Sequence, residues 1–313
     1  MGRTTRAMML AASCLAAAAL GINASDGAFA QGAESQSKTC RVTRAKEVEI
    51  QRIEPFKVFD NLYYVGPCYV SVWLLTTPQG HILFDSAQEP FIDDTIENIE
   101  KVGVNLRDIK YIVLSHGHMD HVGGAERIRR VTGARVVAVE QDWQMMDGLQ
   151  GKSNNRDVKP NVLPKRDMIV KDGDTLTLGD QSLKFHWTPG HTPGVLTTEG
   201  IKLKDGNQTY TGILMGGGGY RGGLESAQQS VESAKTVAAI KGVQVNLQIH
   251  SWAEPNGYPG GGVLERAVLL KNRKPGDPHP FVDPNTWNER AKAAQTNALK
   301  AVEKEKQKAA SGK

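Results

Sequence analysis

Four side chains that commonly bind metals occur within six residues of the sequence, at His116, His118, Asp120 and His121. They follow a β-branched run, 111–114, that predicts a buried strand, and they precede a predicted helix. On the turn between the two elements, His116 and His118 can reach one ion, whereas the adjacent Asp120 and His121 suit a second centre. Imidazole combined with carboxylate favours Zn²⁺ over Ca²⁺ or Mg²⁺. The spacing therefore predicts a zinc site on this turn.

Two distant histidines are placed to complete these centres. His191 lies between two Pro-Gly turns, in 188–194, and such a rigid loop can fix a third ligand beside His116 and His118. His250 follows the predicted strand 243–249, so we expect it to join Asp120 and His121. The other histidines, at positions 81, 186 and 279, have no such placement and are interpreted as structural. Asp85 ends a predicted strand, where it either caps the turn or orients a metal-bound histidine.

The elements that position these residues are those of one α/β domain, residues 48–313, which follows a flexible segment, 31–47. The pattern over 48–84 is strand-like, and its runs from Phe56 onward predict successive hairpins and an antiparallel start to a sheet. Further predicted strands are 134–139, a hairpin of 168–178 with 182–187, 208–215 and 243–249; predicted helices are 93–102, 125–132, 141–146, 224–240 and 289–308. The segment 148–167 has little periodicity and is interpreted either as a lid or as a plain surface loop.

The first thirty residues have the features of a cleaved signal peptide. Arg3 and Arg6 precede an apolar stretch, 7–22, and residues 28–30 form an Ala-Phe-Ala cleavage site. We therefore expect an exported protein, periplasmic or secreted after cleavage near Ala30, without stable membrane insertion. In that setting the two remaining cysteines, at positions 40 and 68, either form a disulfide or stay as separate thiols.

Composition and net charge argue against a nucleic-acid partner. With 313 residues, a hydrophobic fraction of 39% and a charged fraction of 23%, the chain has the composition of a folded globular protein. Its formal net charge of +4 is too small to indicate a nucleic-acid partner, so we expect a small-molecule substrate. The sequence does not define an oligomeric state.

A glycine run precedes the predicted helix 224–240. Gly217, Gly219 and Gly222 satisfy the dinucleotide-binding pattern G-x-G-x-x-G, but no acidic residue follows at a second strand end. The interpretation we prefer is that the glycines let the backbone pass close to the metals or to a substrate.

The motif His116-x-His118-x-Asp120-His121, His191 within Pro-Gly-His-Thr-Pro-Gly, and His250 at a strand end together resemble the metallo-β-lactamase superfamily. The resemblance implies an αββα sandwich, in which two mixed β-sheets are flanked by helices. It is greatest to the exported subclass B3 enzymes, because no cysteine stands where subclasses B1 and B2 use one. It implies two Zn²⁺ ions per chain, one bound by His116, His118 and His191 and the other by Asp120, His121 and His250.

The resemblance also implies opening of a β-lactam amide by a hydroxide held between the ions, with Asp120 orienting that hydroxide. One departure concerns the substrate carboxylate, since Leu214-Met215-Gly216 stands where subclass B3 enzymes place serines. Tyr220 and Arg221 are candidate substitutes, although Arg221 could equally be a surface charge. Alternatives are a hydrolase of an ester, lactone or organophosphate, and a non-catalytic exported binding protein that retains the fold.

Overall fold

The computed structural model describes residues 39–43, 46–151, 162–252 and 261–311. The first sheet has seven strands that lie side by side in chain order. Its strands are β1 (Phe56–Phe59), β2 (Leu62–Tyr64), β3 (Trp73–Thr77), β4 (Gly80–Phe84), β5 (Ile109–Val113), β6 (Arg135–Val139) and β7 (Met168–Val170). Strands β1 to β4 pair antiparallel, as the hairpin patterns predict, and β4 to β7 pair parallel. The strand-like prediction is wrong at its start, because Val48–Gln51 forms a short helix.

The second sheet has five strands in the order β12-β11-β10-β9-β8. They are β8 (Thr175–Leu178), β9 (Gln181–Trp187), β10 (Leu196–Asp205), β11 (Gln208–Leu214) and β12 (Val245–Leu247). Only the β11–β12 pair is parallel. Both sheets are therefore mixed, as expected.

The predicted strand 168–178 is wrong as a single element. A turn at Lys171–Asp174, in which Gly173 has a φ of 84° and the Lys171 amide donates to the Asp174 carboxylate, divides it. Its first half joins the first sheet as β7, and its second half pairs with β9 in the second.

Helices cover the outer face of each sheet. The helices are α1 (Val48–Gln51), α2 (Ile92–Lys101), α3 (Met119–Val122), α4 (Ala125–Thr132), α5 (Glu140–Leu149), α6 (Leu224–Ala239), α7 (Val263–Lys271) and α8 (Pro284–Ala310). One apolar cluster lies between the sheets and includes Trp73, Phe84 and Phe185. A second lies between the first sheet and α2 to α5, and a third between the second sheet, α6 and α8. The layers are therefore helix, sheet, sheet and helix.

The N-terminal part of the described chain is fixed by a disulfide. Cys40, in a helical turn at 39–43, is bonded to Cys68, with 5.5 Å between their Cα atoms. The predicted signal peptide, residues 31–38 of the predicted flexible segment, and residues 152–161 of the predicted loop lie outside the described residues. Among the helices that the structure does describe, none is both long and apolar enough to cross a membrane.

Candidate metal centre

The predicted metal-binding motif lies at the carboxyl end of β5. This strand buries Ile109, Ile112 and Val113 and ends at Val113, after which the chain turns. His116 lies on that turn, His118 is the residue before α3, and Asp120 and His121 lie in the single turn of α3 itself. Asp120 and His121 thus point from a short helix rather than from an irregular turn.

The first group consists of His116, His118 and His191. Their candidate ligand nitrogens lie within 4.8 Å of one another, and Nε2 of His116 is 2.9 Å from Nδ1 of His118. His191 reaches the group from the loop between β9 and β10. The backbone amide of Gly190 donates to the carbonyl of Thr192, which tightens that loop. The two histidines of the turn and the distant histidine are brought together as the spacing predicts.

The second group consists of Asp120, His121 and His250, and its candidate ligand atoms also lie within 4.8 Å of one another. Oδ2 of Asp120 is 3.6 Å from Nε2 of His121 and 4.0 Å from Nε2 of His250. The ring centroids of His116 and His121 are 4.1 Å apart, so the two groups adjoin. All six residues named from the sequence therefore meet in one cluster.

Hydrogen bonds on the outer side of the cluster set the orientation of its rings. Nδ1 of His121 lies 2.7 Å from Oδ2 of Asp85, and Nδ1 of His250 lies 2.9 Å from the carbonyl oxygen of Tyr69. Each bond leaves the Nε2 edge of its ring directed toward Asp120. Orientation of a histidine was one of the two roles that the sequence left open for Asp85, but a backbone carbonyl such as that of Tyr69 gives no signal in the sequence.

Asp85 is itself held by Ser115. Oδ1 accepts from the backbone amide of Ser115 at 2.7 Å, and Oδ2 accepts from its hydroxyl at 2.8 Å. Asp85 has a positive φ of 63°, an uncommon conformation for a residue other than glycine. The strained backbone and the three hydrogen bonds together fix the carboxylate beneath His121.

The pKa shifts in the cluster favour uncharged imidazoles at His118 and His191 of the first group and an ionised carboxylate in the second. Burial, together with the nearby Arg221, lowers the pKa of His118 to about 4 and that of His191 to about 3. Burial would raise the pKa of Asp120, but the imidazoles of His121 and His250 outweigh it and lower that pKa. Neutral imidazole and ionised carboxylate are the forms that bind a metal ion.

A buried aspartate that sequence reasoning missed lies beneath both ligand loops. Asp142, on α5, is 2 % exposed and lies against the backbone amides of Gly117 and Gly194 and the hydroxyl of Thr192. Burial raises the pKa of its carboxyl to about 7. Gly117 separates the first two histidines and Gly194 follows His191, so Asp142 joins the two loops that carry the first group. Nothing in the sequence of α5 distinguishes Asp142 from an ordinary helical aspartate.

The glycine-rich segment after β11 passes directly beside the cluster. A Cβ at Gly216 would collide with the carbonyl oxygen of Leu196, and one at Gly217 would lie 3.2 Å from the Cβ of His191. Glycine thus allows the close approach to the cluster that the sequence led us to expect. Nη2 of Arg221, on the same segment, lies 3.1 Å from Nε2 of His191 and 3.4 Å from Nδ1 of His118.

The end of α8 holds this segment in place. The hydroxyl of Tyr220 donates to Oε1 of Glu305 at 3.0 Å, and the amide of Gly223 lies 3.3 Å from Oε2 of the same carboxylate. Lys308 pairs with Glu305 at 2.6 Å. Tyr220 is therefore engaged with α8, whereas Arg221 reaches the cluster. Glu305 is a further residue that the sequence did not indicate, because it lies in a helix rich in lysine and glutamate.

The residues present fit a pair of transition-metal ions. One group supplies three imidazoles and the other two imidazoles with a carboxylate, a set of nitrogen and oxygen donors suited to such ions. Nε2 of His121 is fully buried and has no hydrogen-bond partner among the described residues, although its Nδ1 is bonded to Asp85. A buried imidazole nitrogen without a partner is costly unless it binds something. The cluster is therefore a candidate metal-binding site with two adjoining centres.

Comparison with known proteins connects this geometry to a family. Residues 65–200 match the model of the metallo-beta-lactamase superfamily. BJP-1, a subclass B3 metallo-beta-lactamase of Bradyrhizobium japonicum, is 32% identical with a TM-score of 0.68, and the alignment covers 82% of this chain and 96% of that one. FEZ-1, a metallo-beta-lactamase from Legionella gormanii, is 27% identical with a TM-score of 0.69, over 82% and 98% of the two chains.

Curated relatives match over shorter stretches. A hydroxyacylglutathione hydrolase of Maricaulis maris is 39% identical over 80 residues, which are 26% of this chain and 25% of that protein. The probable metallo-hydrolase YqgX of Bacillus subtilis is 26% identical over 157 residues, which are 50% of this chain and 70% of that protein. The chain thus spans between a quarter and seven-tenths of the length of these curated relatives.

Proposed function

Because this chain belongs to the metallo-β-lactamase superfamily, we propose that it is an exported dizinc hydrolase that opens the amide bond of a β-lactam. The observation that carries the proposal is the convergence of His116, His118 and His191 beside Asp120, His121 and His250. The similarity to subclass B3 metallo-beta-lactamases, which covers nearly the whole of those chains, supports the choice of substrate.

Each group of three side chains would hold one zinc ion. Zinc bound in this way would supply Lewis-acid polarisation of a carbonyl and lower the pKa of a bound water to about 7, far below its value in bulk. His121 would bind through its buried Nε2, because Asp85 engages its Nδ1. His250 would likewise bind through Nε2, because its Nδ1 is oriented by the carbonyl of Tyr69.

Asp120 is the residue of the cluster suited to proton handling. Its carboxylate lies between the imidazoles of His121 and His250, which lower its pKa and keep it ionised at neutral pH. An ionised carboxylate at this position can accept a hydrogen bond from the attacking water and hold the proton that the water loses. His116 and His121 are fully buried, whereas Asp120 and His250 each keep 22% of the side chain exposed, so water can reach Asp120 from that side.

Arg221 is the candidate partner for the substrate carboxylate. Its guanidinium lies at the mouth of the cluster, within 3.4 Å of two imidazoles, and it is carried on a loop that α8 holds through Glu305. Guanidinium can bind a carboxylate through two parallel hydrogen bonds. This chain has no counterpart of the serines that meet the substrate carboxylate in subclass B3 enzymes. Arg221 would therefore bind that carboxylate instead.

The proposal is tested by metal content and turnover measured on the same preparation. We expect two zinc ions per chain and hydrolysis of a chromogenic cephalosporin, which should be lost on chelation and restored by zinc. His118→Ala should abolish turnover because it removes a ligand. His81→Ala is the matched control, since His81 lies on β4 outside both groups. A zinc-loaded protein that opens no penicillin, cephalosporin or carbapenem would refute the β-lactam assignment.

A second candidate keeps the metal chemistry and changes the substrate to a thioester, ester or lactone. Two observations favour it: curated relatives include hydroxyacylglutathione hydrolases, and Leu214-Met215-Gly216 provides no hydroxyl near the site. The same activated water attacks any of these acyl carbons. Turnover of a thioester and lactone panel by protein that is inactive on β-lactams would establish this alternative.

A further inference from the structure

A cavity of about 810 Å³ extends from the candidate metal centre along the outer helices. The rings of His191 and His250 form part of its lining at one end, and α6 and α8 form its two long walls. The residues that α8 contributes run from Glu289 to Ala301 on one face of the helix. Glu289 and Ala301 are twelve helical steps apart, which corresponds to about 18 Å. The cavity therefore extends well beyond the bond that the centre would attack.

The walls of this cavity are mainly apolar and made of small side chains. From α8 it is lined by the alanines at 293, 294, 298 and 301, and from α6 by Ala234 and Val237. Alanine leaves space beside a helix that larger apolar residues would fill. Three polar residues of α8 also line the cavity: Glu289 and Asn297 are exposed and lie at its rim, and Arg290 is half-buried.

The hydroxyl groups in the cavity are already engaged by the protein. Ser230 donates to the carbonyl of Ala227 at 2.8 Å, and Ser233 donates to the carbonyl of Pro189 at 2.6 Å. Neither serine hydrogen is therefore directed at an occupant. Away from Arg290 and the imidazoles at the metal end, a ligand rich in polar groups would lose its hydration and gain few partners, whereas an apolar one would gain from burial.

We propose that this cavity binds a linear apolar substituent of the substrate, a saturated acyl or alkyl chain attached to the group that is hydrolysed. The proposal rests on the hydrolase function proposed above and specifies its substrate class. The cavity is continuous with the candidate metal centre. A substrate whose reacting bond lies at His191 and His250 can therefore place its substituent in the cavity. Length and small side chains favour a chain over a bulky ring.

The test uses penicillins that differ only in their straight-chain N-acyl group, from acetyl to decanoyl. Each methylene that enters the cavity should raise kcat/KM by roughly fourfold until the chain fills it. Ala294→Phe should flatten this dependence, because the ring would occupy the space. Ala309→Phe, on an exposed position of the same helix, should preserve it. Equal slopes in the two variants, or a flat wild-type profile, would overturn the proposal.

A binding measurement keeps this test separate from that of the function. Calorimetry of decanoate with the zinc-depleted protein should show binding that Ala294→Phe weakens about tenfold or more and Ala309→Phe leaves unchanged. If no penicillin is opened but this pattern is seen, the β-lactam assignment fails and the cavity proposal stands. Absence of decanoate binding, or equal binding by both variants, refutes the cavity proposal. Ala293→Phe replaces Ala294→Phe if circular dichroism shows that the latter is unfolded.

Discussion

Asp85→Asn isolates the contribution of the residue beneath His121. In the structure one carboxylate oxygen accepts from the amide of Ser115, and the other accepts from the Ser115 hydroxyl and faces Nδ1 of His121. A His121 ring that binds metal through Nε2 carries its proton on Nδ1, so both the Ser115 amide and the His121 ring are donors. Asparagine has only one oxygen and cannot accept from donors on both sides.

The two orientations of the new amide have different consequences. If its oxygen faces Ser115, its NH₂ group faces the Nδ1–H of His121, and the second metal centre loses its support. If it faces His121, the buried amide of Ser115 is left unpaired. A buried donor without a partner costs about 1–3 kcal/mol. In the first case we expect metal affinity at the second centre to fall roughly 10–100-fold. In the second case we expect the free energy of unfolding to fall by about 1–3 kcal/mol.

Competition with a chromophoric chelator measures affinity at each centre, and urea unfolding of the zinc-depleted protein measures stability. Asp167→Asn is the matched control, because Asp167 also accepts from a backbone amide, that of Val136 at 2.8 Å, but is remote from the cluster. The control should retain wild-type affinity at both centres. If Asp85→Asn binds the second metal ion and resists urea as the wild type does, the assigned role of Asp85 is refuted.

Two further perturbations test burial and covalent constraint. Replacing both Cys40 and Cys68 by serine should lower the free energy of unfolding by roughly 3–4 kcal/mol, because the disulfide closes a loop across a sequence separation of 28; urea titration with and without reductant checks this. In zinc-depleted protein the folded-state pKa of Asp142, about 7, exceeds the unfolded value of 3.8, so the stability that its proton confers is complete below pH 3.8 and lost as pH rises toward 7. Asparagine does not titrate between pH 3.8 and pH 7. The free energy of unfolding of Asp142→Asn, relative to that of the wild type, should therefore rise by up to about 4 kcal/mol over this interval. A difference that stays constant with pH would contradict the assignment.

The six candidate ligand positions could be named from the sequence because each is tied to a strong local signal. The histidines of the motif follow a predicted β-branched strand, His191 is enclosed by two Pro-Gly turns, and His250 follows the predicted strand 243–249, of which the structure forms Val245–Leu247. Such signals state both the residue type and the kind of element that carries it. Strand ends at one edge of the layers then bring these positions together, which is why six residues could be named without coordinates.

The arrangement of strands was less predictable. The segment 168–178 divides between two sheets, and the strand Leu196–Asp205 was not predicted at all. Gly200, with a φ of 85°, interrupts its alternation at a shift of register between Glu199 and Ile201. Periodicity describes one segment at a time, whereas membership of a sheet depends on partners that are distant in sequence. The same limit explains why Asp142 and the carbonyl of Tyr69 were missed.

The separation between the metal centre and its surroundings explains how one chemistry can serve different substrates. The candidate ligands lie beyond strand ends or in the short helix α3, and Asp85, after β4, orients His121. The position of Arg221 and the shape of the cavity depend instead on α8, which holds the glycine-rich segment through Glu305 and lines the cavity with alanines. If the proposed function holds, changes in α8 would therefore alter which acyl group is accepted without disturbing the candidate metal ligands. Selectivity would then follow from the packing of the last helix, and reactivity from the edge of the sheets.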